Sequence, residues 1–139
     1  MYIWEHLPAH TYASGPLCVI GDAAHATTPW QGSDGGMSVE DSFILSLLGH
    51  AKTTKDAVNA LKAYDEVRTQ RTQRTQRIVE SSRGTGAIMT GRGDETKMPL
   101  DPVEEKLVHR WDFILDTELE RHRDEAIAVM DCLNQSKGS

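Results

Sequence analysis

The sequence predicts a mainly α chain, with three to four helices behind a short N-terminal β remnant. Three observations carry this expectation. Only one run, Leu17-Cys18-Val19-Ile20, has the continuous apolar character of a short strand buried on both faces, parallel-sheet style. Three later stretches repeat apolar residues at helical spacing. Glycine and proline concentrate between these stretches, around 21–37 and 84–102, where they read as loops.

Each element follows from local chemistry. Residues 1–20 form the β remnant: Tyr2, Ile3 and Trp4 are apolar, Pro8 and Ser14-Gly15-Pro16 punctuate, and the apolar run ends at Gly21. Residues 21–37 form a Gly-rich loop. Ser38 with Asp41 three residues on fits a helix-opening capping box. Val39, Phe43 and Leu47, with Ile44 and Leu48, give that helix an apolar face, and Gly49 reads as its C-cap. Thr53 or Thr54 caps a second helix with Asp56 in its first turn. Ala57, Leu61, Tyr64 and Val67 form its buried face, and it continues to about Arg83. Its later part carries an Arg-Thr-Gln repeat, and three residues turn a helix by about 300°, so the arginines wind around it. Residues 84–102 read as a loop or hinge. Pro102 suits a helix start, and Val108, Trp111, Leu115, Leu119, His122, Ala126, Val129 and Leu133 sustain one stripe. Helices thus occupy 38–83 and 103–133 of a single 1–139 domain, with a frayed tail from Asn134.

Composition excludes several classes. The 139 residues suit one domain, and charged residues at 26% are ordinary for a globular chain. A net charge of −6 argues against nucleic acid or an acidic membrane as partner. The longest apolar stretch, Phe43 to Leu48, is too short to span a bilayer, and no signal peptide is visible. Cys18 and Cys132 form neither a disulfide framework nor a zinc motif, so a reducing, cytoplasmic setting is expected. No metal site is expected, since His6 and His10 sit four apart around Pro8 rather than on a helix. Charge is uneven: five Arg and one Glu between Arg68 and Arg83, then twelve acids and five bases between Asp94 and Asp131. These stretches could attract one another within the fold or across a dimer.

The densest chemistry lies in Gly21-Asp22-Ala23-Ala24-His25-Ala26-Thr27-Thr28-Pro29-Trp30-Gln31-Gly32. An acid at a strand end can accept hydrogen bonds from ligand hydroxyls. A Gly-rich turn admits close backbone approach, and the helix start at 36–39 offers free N–H groups to a negative group. The same residues also fit a tight structural turn before a capped helix. His25 reads as a packed side chain beneath the loop, His122 as a core histidine, and the Arg repeat as a solvated or acid-paired face. Trp30 suits either simple packing or a ligand or partner surface.

Gly21-Asp22-Ala23-Ala24-His25, then Pro29, Gly32 and Met37-Ser38-Val39-Glu40-Asp41, resembles the second FAD motif of FAD-dependent aromatic hydroxylases of the salicylate-hydroxylase type. Ala63-Tyr64-Asp65-Glu66-Val67-Arg68, Val79 to Arg83 and Trp111 to Glu120 are similar as well. The likeness runs along essentially the whole chain but covers only the last third of such an enzyme. It implies the truncated C-terminal portion of an α/β flavin monooxygenase fold.

The resemblance also implies roles. Gly21, Asp22, Pro29, Gly32, Gly35, Gly36 and Met37 would bind FAD. Asp22 would hydrogen-bond its ribityl or pyrophosphate part, Pro29 would lie near the ring, and Gly32 to Met37 would offer N–H groups to its pyrimidine edge. The implied reaction is hydroxylation of a phenolic ring, with NAD(P)H as reductant and O2 as oxygen source. Two departures stand out: Asp34 occupies a usual Gly position, and the N-terminal dinucleotide fingerprint is missing. Gly84-Thr-Gly86 is only a chance near-match, since Met89 stands where a third Gly is needed.

Three functions follow. The first is a monooxygenase-like FAD protein acting on an aromatic small molecule. The second is a cofactor-independent isomerase, cyclase or dehydratase on an aromatic or polyketide-like substrate, with Asp22, His25 and Asp34 as candidate acid–base groups. The third is a non-catalytic partner of a full-length monooxygenase, docking through the Trp30 loop and the final helix. A homodimer, or a complex with a chain supplying the missing half, is the expected assembly.

Overall fold

The computed structural model describes residues 9–26, 28–32, 34–70, 86–87, 90, 108 and 118–136. The fold is mainly α, with a two-stranded sheet at its N-terminal side. Strands β1 (Ala13–Ser14) and β2 (Leu17–Cys18) pair antiparallel across a turn in which Gly15 adopts a φ of 57°. Helix α1 (Asp22–His25) follows, then a 3-10 turn at Pro29–Gln31 and helix α2 (Asp34–Leu45). A second 3-10 segment, Ser46–His50, leads to α3 (Thr54–Gln70), and α4 spans Leu119–Gln135.

Helix α3 is the centre of the fold. It packs chiefly on α4 and also against β1, α2 and the 3-10 segment at Ser46–His50. Ala60 and Ala63 on α3 and Ala126 on α4 are almost wholly buried, and small side chains at a helix contact permit close approach. Tyr12, Ala24, Ile44, Leu47, Tyr64, Val67 and Met130 complete the core. At one end Asn59 Nδ2 donates to Asn134 Oδ1 at 2.8 Å, tying α3 to the last turn of α4. At the start of α3, Thr53 and Asp56 cap reciprocally. The Asp56 N–H donates to Thr53 Oγ1 at 3.1 Å and the Thr53 N–H to Asp56 Oδ2 at 3.0 Å.

Several elements differ from the sequence reading. Leu17-Cys18-Val19-Ile20 is not a strand buried on both faces; among the described residues β2 pairs with β1 alone, and Leu17 is 73% exposed. A parallel-sheet strand needs neighbours on both edges, and the described residues supply none beyond β1. The 21–37 segment is partly helical, and α2 begins at Asp34 rather than Ser38. Ser38 therefore lies inside α2, and Asp41 caps nothing there. Val39 is 64% exposed, so the buried stripe of α2 is Met37, Asp41 and Ile44 rather than a stripe through Val39. Gly49 falls inside the 3-10 segment, whose cap is Ala51. Asn134 is helical and bonded rather than frayed. Gly86, Ala87 and Thr90 are helical within the expected 84–102 loop. Most of the Arg repeat, the rest of that loop and the stripe from Trp111 to Leu115 lie outside the described residues.

Candidate functional site

The glycine turn at the end of β2 is held from three sides. Gly21 is buried, with φ 57° and ψ −138°, a region that side-chain-bearing residues rarely adopt. Its carbonyl accepts from the N–H groups of Ala24 at 2.9 Å and His25 at 3.0 Å, which opens α1. Its own N–H donates to Asp41 Oδ2 on α2 at 2.8 Å. A Cβ at this position would stand 2.9 Å from Ser38 Oγ, so helix α2 also fits against the turn sterically.

Beneath the turn lies a buried polar network. His25 Nε2 donates to Asp41 Oδ2 at 2.9 Å, and both side chains are almost wholly buried. That assigns the ring proton to Nε2, because the carboxylate can only accept. From α3, Arg68 Nη2 reaches Asp41 Oδ1 at 2.7 Å, and Arg68 Nη1 donates to Glu40 Oε2 at 2.9 Å. The approach to Oδ1 lies off the hydrogen-bonding direction, so that contact is Coulombic. Burial pushes the Asp41 carboxyl up. The His25 hydrogen bond, the Arg68 charge and the Gly21 N–H outweigh it and hold Asp41 below its ordinary value. Tyr64, also on α3, donates its hydroxyl to the Val19 carbonyl at 3.1 Å, and burial followed by the nearby Asp41 charge raises its phenol. The Tyr12 ring packs edge-on to His25 at 6.0 Å.

The outward side of the turn is open. Asp22, Ala23, Pro29, Gly32, Gly35 and Gly36 are exposed. A Cβ built at Gly32, Gly35 or Gly36 would meet nothing within 4 Å. The first-turn N–H groups of an α-helix have no intrahelical acceptor, which applies to Gly35 and Gly36 in α2. Residues 22–36 thus carry an exposed acid, exposed glycines and the positive end of a twelve-residue helix.

The site residues separate by burial. Asp22, Pro29, Gly32, Gly35 and Gly36 are exposed. Gly21, His25 and Met37 are buried, with Met37 only 4% exposed and its side chain in the interior. The Asp34 side chain lies outside the described residues. Trp30 is half-buried, and a Cβ on Gly86 would stand 2.4 Å from its Cδ1, so the indole rests on the Gly86 backbone. Three residues that do structural work at the site were not singled out for it by the sequence reading: Asp41, Arg68 and Tyr64. The available signal was a charge on an apolar stripe. Asp41 sits between Met37 and Ile44 at helical spacing, and Arg68 follows Tyr64 by one turn.

Among the described residues, no group of three or more His, Cys, Asp or Glu side chains could hold a metal ion. Among them too, no helix is long and apolar enough to cross a membrane.

The segment thus exposes an acid and several glycines above a buried polar brace. The family model described as FAD binding domain matches residues 4–80, and the chain belongs to that family, whose cofactor is FAD. It is 35% identical over 126 residues to a 6-methylsalicylate 1-monooxygenase of Aspergillus terreus, covering 90% of this chain and 28% of that protein. It is 34% identical to an FAD-dependent monooxygenase of Hypocrea jecorina, covering 81% of this chain and 28% of that protein. A similar enzyme of Stachybotrys chartarum is 37% identical over 84% of this chain and 25% of its own length. The chain therefore spans about a quarter of the curated relatives it matches. No solved structure matches it.

Proposed function

We propose that this chain carries the turn that holds the middle of an FAD molecule in a monooxygenase acting on an aromatic or phenolic small molecule, with NAD(P)H as reductant. The observation that carries the reading is the exposed Asp22, followed within fifteen residues by exposed glycines with open space about them, on a turn braced by Asp41. The residues present fit the group. Asp22 accepts hydrogen bonds from ribityl or ribose hydroxyls, and Gly32, Gly35 and Gly36 let a flat or anionic group meet backbone. Pro29 gives the ring a rigid apolar neighbour. The start of α2 stabilises negative charge. When bound, the flavin supplies the redox chemistry. The aromatic substrate class is supported by the Aspergillus terreus relative, whose name gives 6-methylsalicylate.

The exposed Leu17, with Val19 and Ile20 37% and 42% exposed, favours completion of the site by further polypeptide, from a longer chain or a partner. The setting proposed is cytoplasmic. Titrating the purified chain with FAD tests the cofactor reading. A saturable shift of the flavin absorbance, weakened in Asp22→Ala, is expected. An unshifted spectrum in saturating FAD would refute binding by this chain.

A further inference from the structure

We propose that Asp41 is a positioning residue, through which α2 and α3 set the Gly21–Asp22 turn for its ligand; this rests on the FAD reading above. One carboxylate joins three elements. Its Oδ2 accepts from the backbone of the turn and from His25 of α1, at 2.8 and 2.9 Å. Its Oδ1 faces Arg68 of α3 at 2.7 Å. Gly21 has no side chain with which to hold itself, and its torsions are otherwise among many open to glycine. The anchor must come from elsewhere, and the described hydrogen bond to its N–H comes from Asp41. Asp22 is the next residue, so its direction follows from the torsions of Gly21. Asp41 touches no surface that a ligand could reach, since it is wholly buried. It acts on Asp22 only through the turn.

Glu40 provides the comparison. It also pairs with Arg68, at 2.9 Å, but no contact to Gly21 is described for it. Loss of charge around Arg68 occurs in both acids' variants, whereas only the Asp41 variant alters the hydrogen bond to Gly21. Asp41→Asn keeps the size and removes the charge, so the Gly21 hydrogen bond becomes a neutral one.

The experiment measures FAD affinity and the Gly21 amide resonance by NMR in the full 139-residue chain, in Asp41→Asn and in Glu40→Gln. The expected result is a loss of FAD affinity in Asp41→Asn of several-fold, up to about the tenfold that separates a charge-assisted from a neutral hydrogen bond. The Gly21 amide proton should move upfield in the same variant. Glu40→Gln should stay within about twofold of wild type on both readouts. Equal losses in the two variants, or an unchanged Asp41→Asn, would overturn the proposal. If wild type binds no FAD, the cofactor reading fails by itself. The Gly21 amide then decides the positioning role: a shift confined to Asp41→Asn upholds it and an unmoved signal refutes it. If Asp41→Asn does not fold, the wild-type Gly21 amide is read alone. Protection from exchange with a downfield resonance upholds the anchor, and exchange at the rate of an open loop overturns it.

Discussion

Replacing Gly21 with alanine tests the local argument most directly. The backbone there has φ 57° and ψ −138°, which a residue with a Cβ adopts at a cost of about 1–3 kcal/mol. The new methyl would also stand 2.9 Å from Ser38 Oγ, closer than real Cβ contacts come. Crowding of that kind in a packed region costs about 1–3 kcal/mol. Gly21 is buried and bonded at both its N–H and its carbonyl, so the turn has little room to relax. A loss of about 3 kcal/mol is therefore expected for Gly21→Ala. With a urea slope of about 2 kcal/mol per molar, the midpoint should fall by about 1.5 M. Equilibrium urea unfolding followed by far-UV circular dichroism gives the value. Adding Ser38→Ala, with the single variant as its baseline, separates the two contributions. It should return about 1 kcal/mol of crowding and leave the torsional share. A Gly21→Ala chain within about 0.5 kcal/mol of wild type would refute both the strained turn and its contact with α2.

Further outcomes follow from other contacts. Thr53→Ala removes the side-chain acceptor at the start of α3 and should cost about 1 kcal/mol in urea unfolding. Asn59→Ala and Asn134→Ala should show a coupling of about 1 kcal/mol in a double-mutant cycle, because they share the 2.8 Å hydrogen bond; additive effects would remove the clamp between α3 and α4. Asp41 is held below its ordinary value of 3.8, so its contribution is fully present above that pH and disappears as pH falls through the lower folded value. Unfolding measured from pH 5 downward should therefore lose stability below about pH 3.8, less steeply in Asp41→Asn. Gly86→Ala should displace the indole, because the new Cβ would be 2.4 Å from Trp30 Cδ1; a changed Trp30 emission in a chain carrying that tryptophan alone reports it.

Legibility in the sequence divides along a physical line. Periodic burial of apolar residues on α3 was readable, because Leu61, Tyr64 and Val67 point into the core at the spacing that the helix imposes. A cap at Thr53 or Thr54 was readable for the same reason, since it is local to residues three apart, and Thr53 is the one that bonds Asp56. The reading of β2 went wrong where the outcome depends on neighbours. Leu17 to Ile20 has the composition of a buried strand, but burial needs a second sheet edge, which the described residues do not contain. The start of α2 was misplaced because Ser38 and Asp41 imitate a capping box. Asp41 instead satisfies a turn twenty residues away, a partner that local spacing cannot encode.

That error bears on how the site is built. A charged residue among apolar neighbours at helical spacing reads locally as a cap or a solvated face, since burying an unpaired charge is costly. The cost is offset here only by assembly. Asp41 from α2, Arg68 from α3, His25 from α1 and the Gly21 N–H meet in one buried cluster, in which Asp41 takes two hydrogen bonds at Oδ2 and the Arg68 charge at Oδ1. Such a network forms completely or is a liability, because a member left unpaired in a low-dielectric interior is heavily penalised. The exposed face therefore depends on tertiary packing, although every residue on it comes from one short segment. On the proposed reading, Asp22 and the glycines would specify what is bound, while α2 and α3 would specify where these groups stand. The first kind of information is written contiguously and carries the family motif. The second is spread over residues 21 to 68 and becomes visible only when the helices are packed.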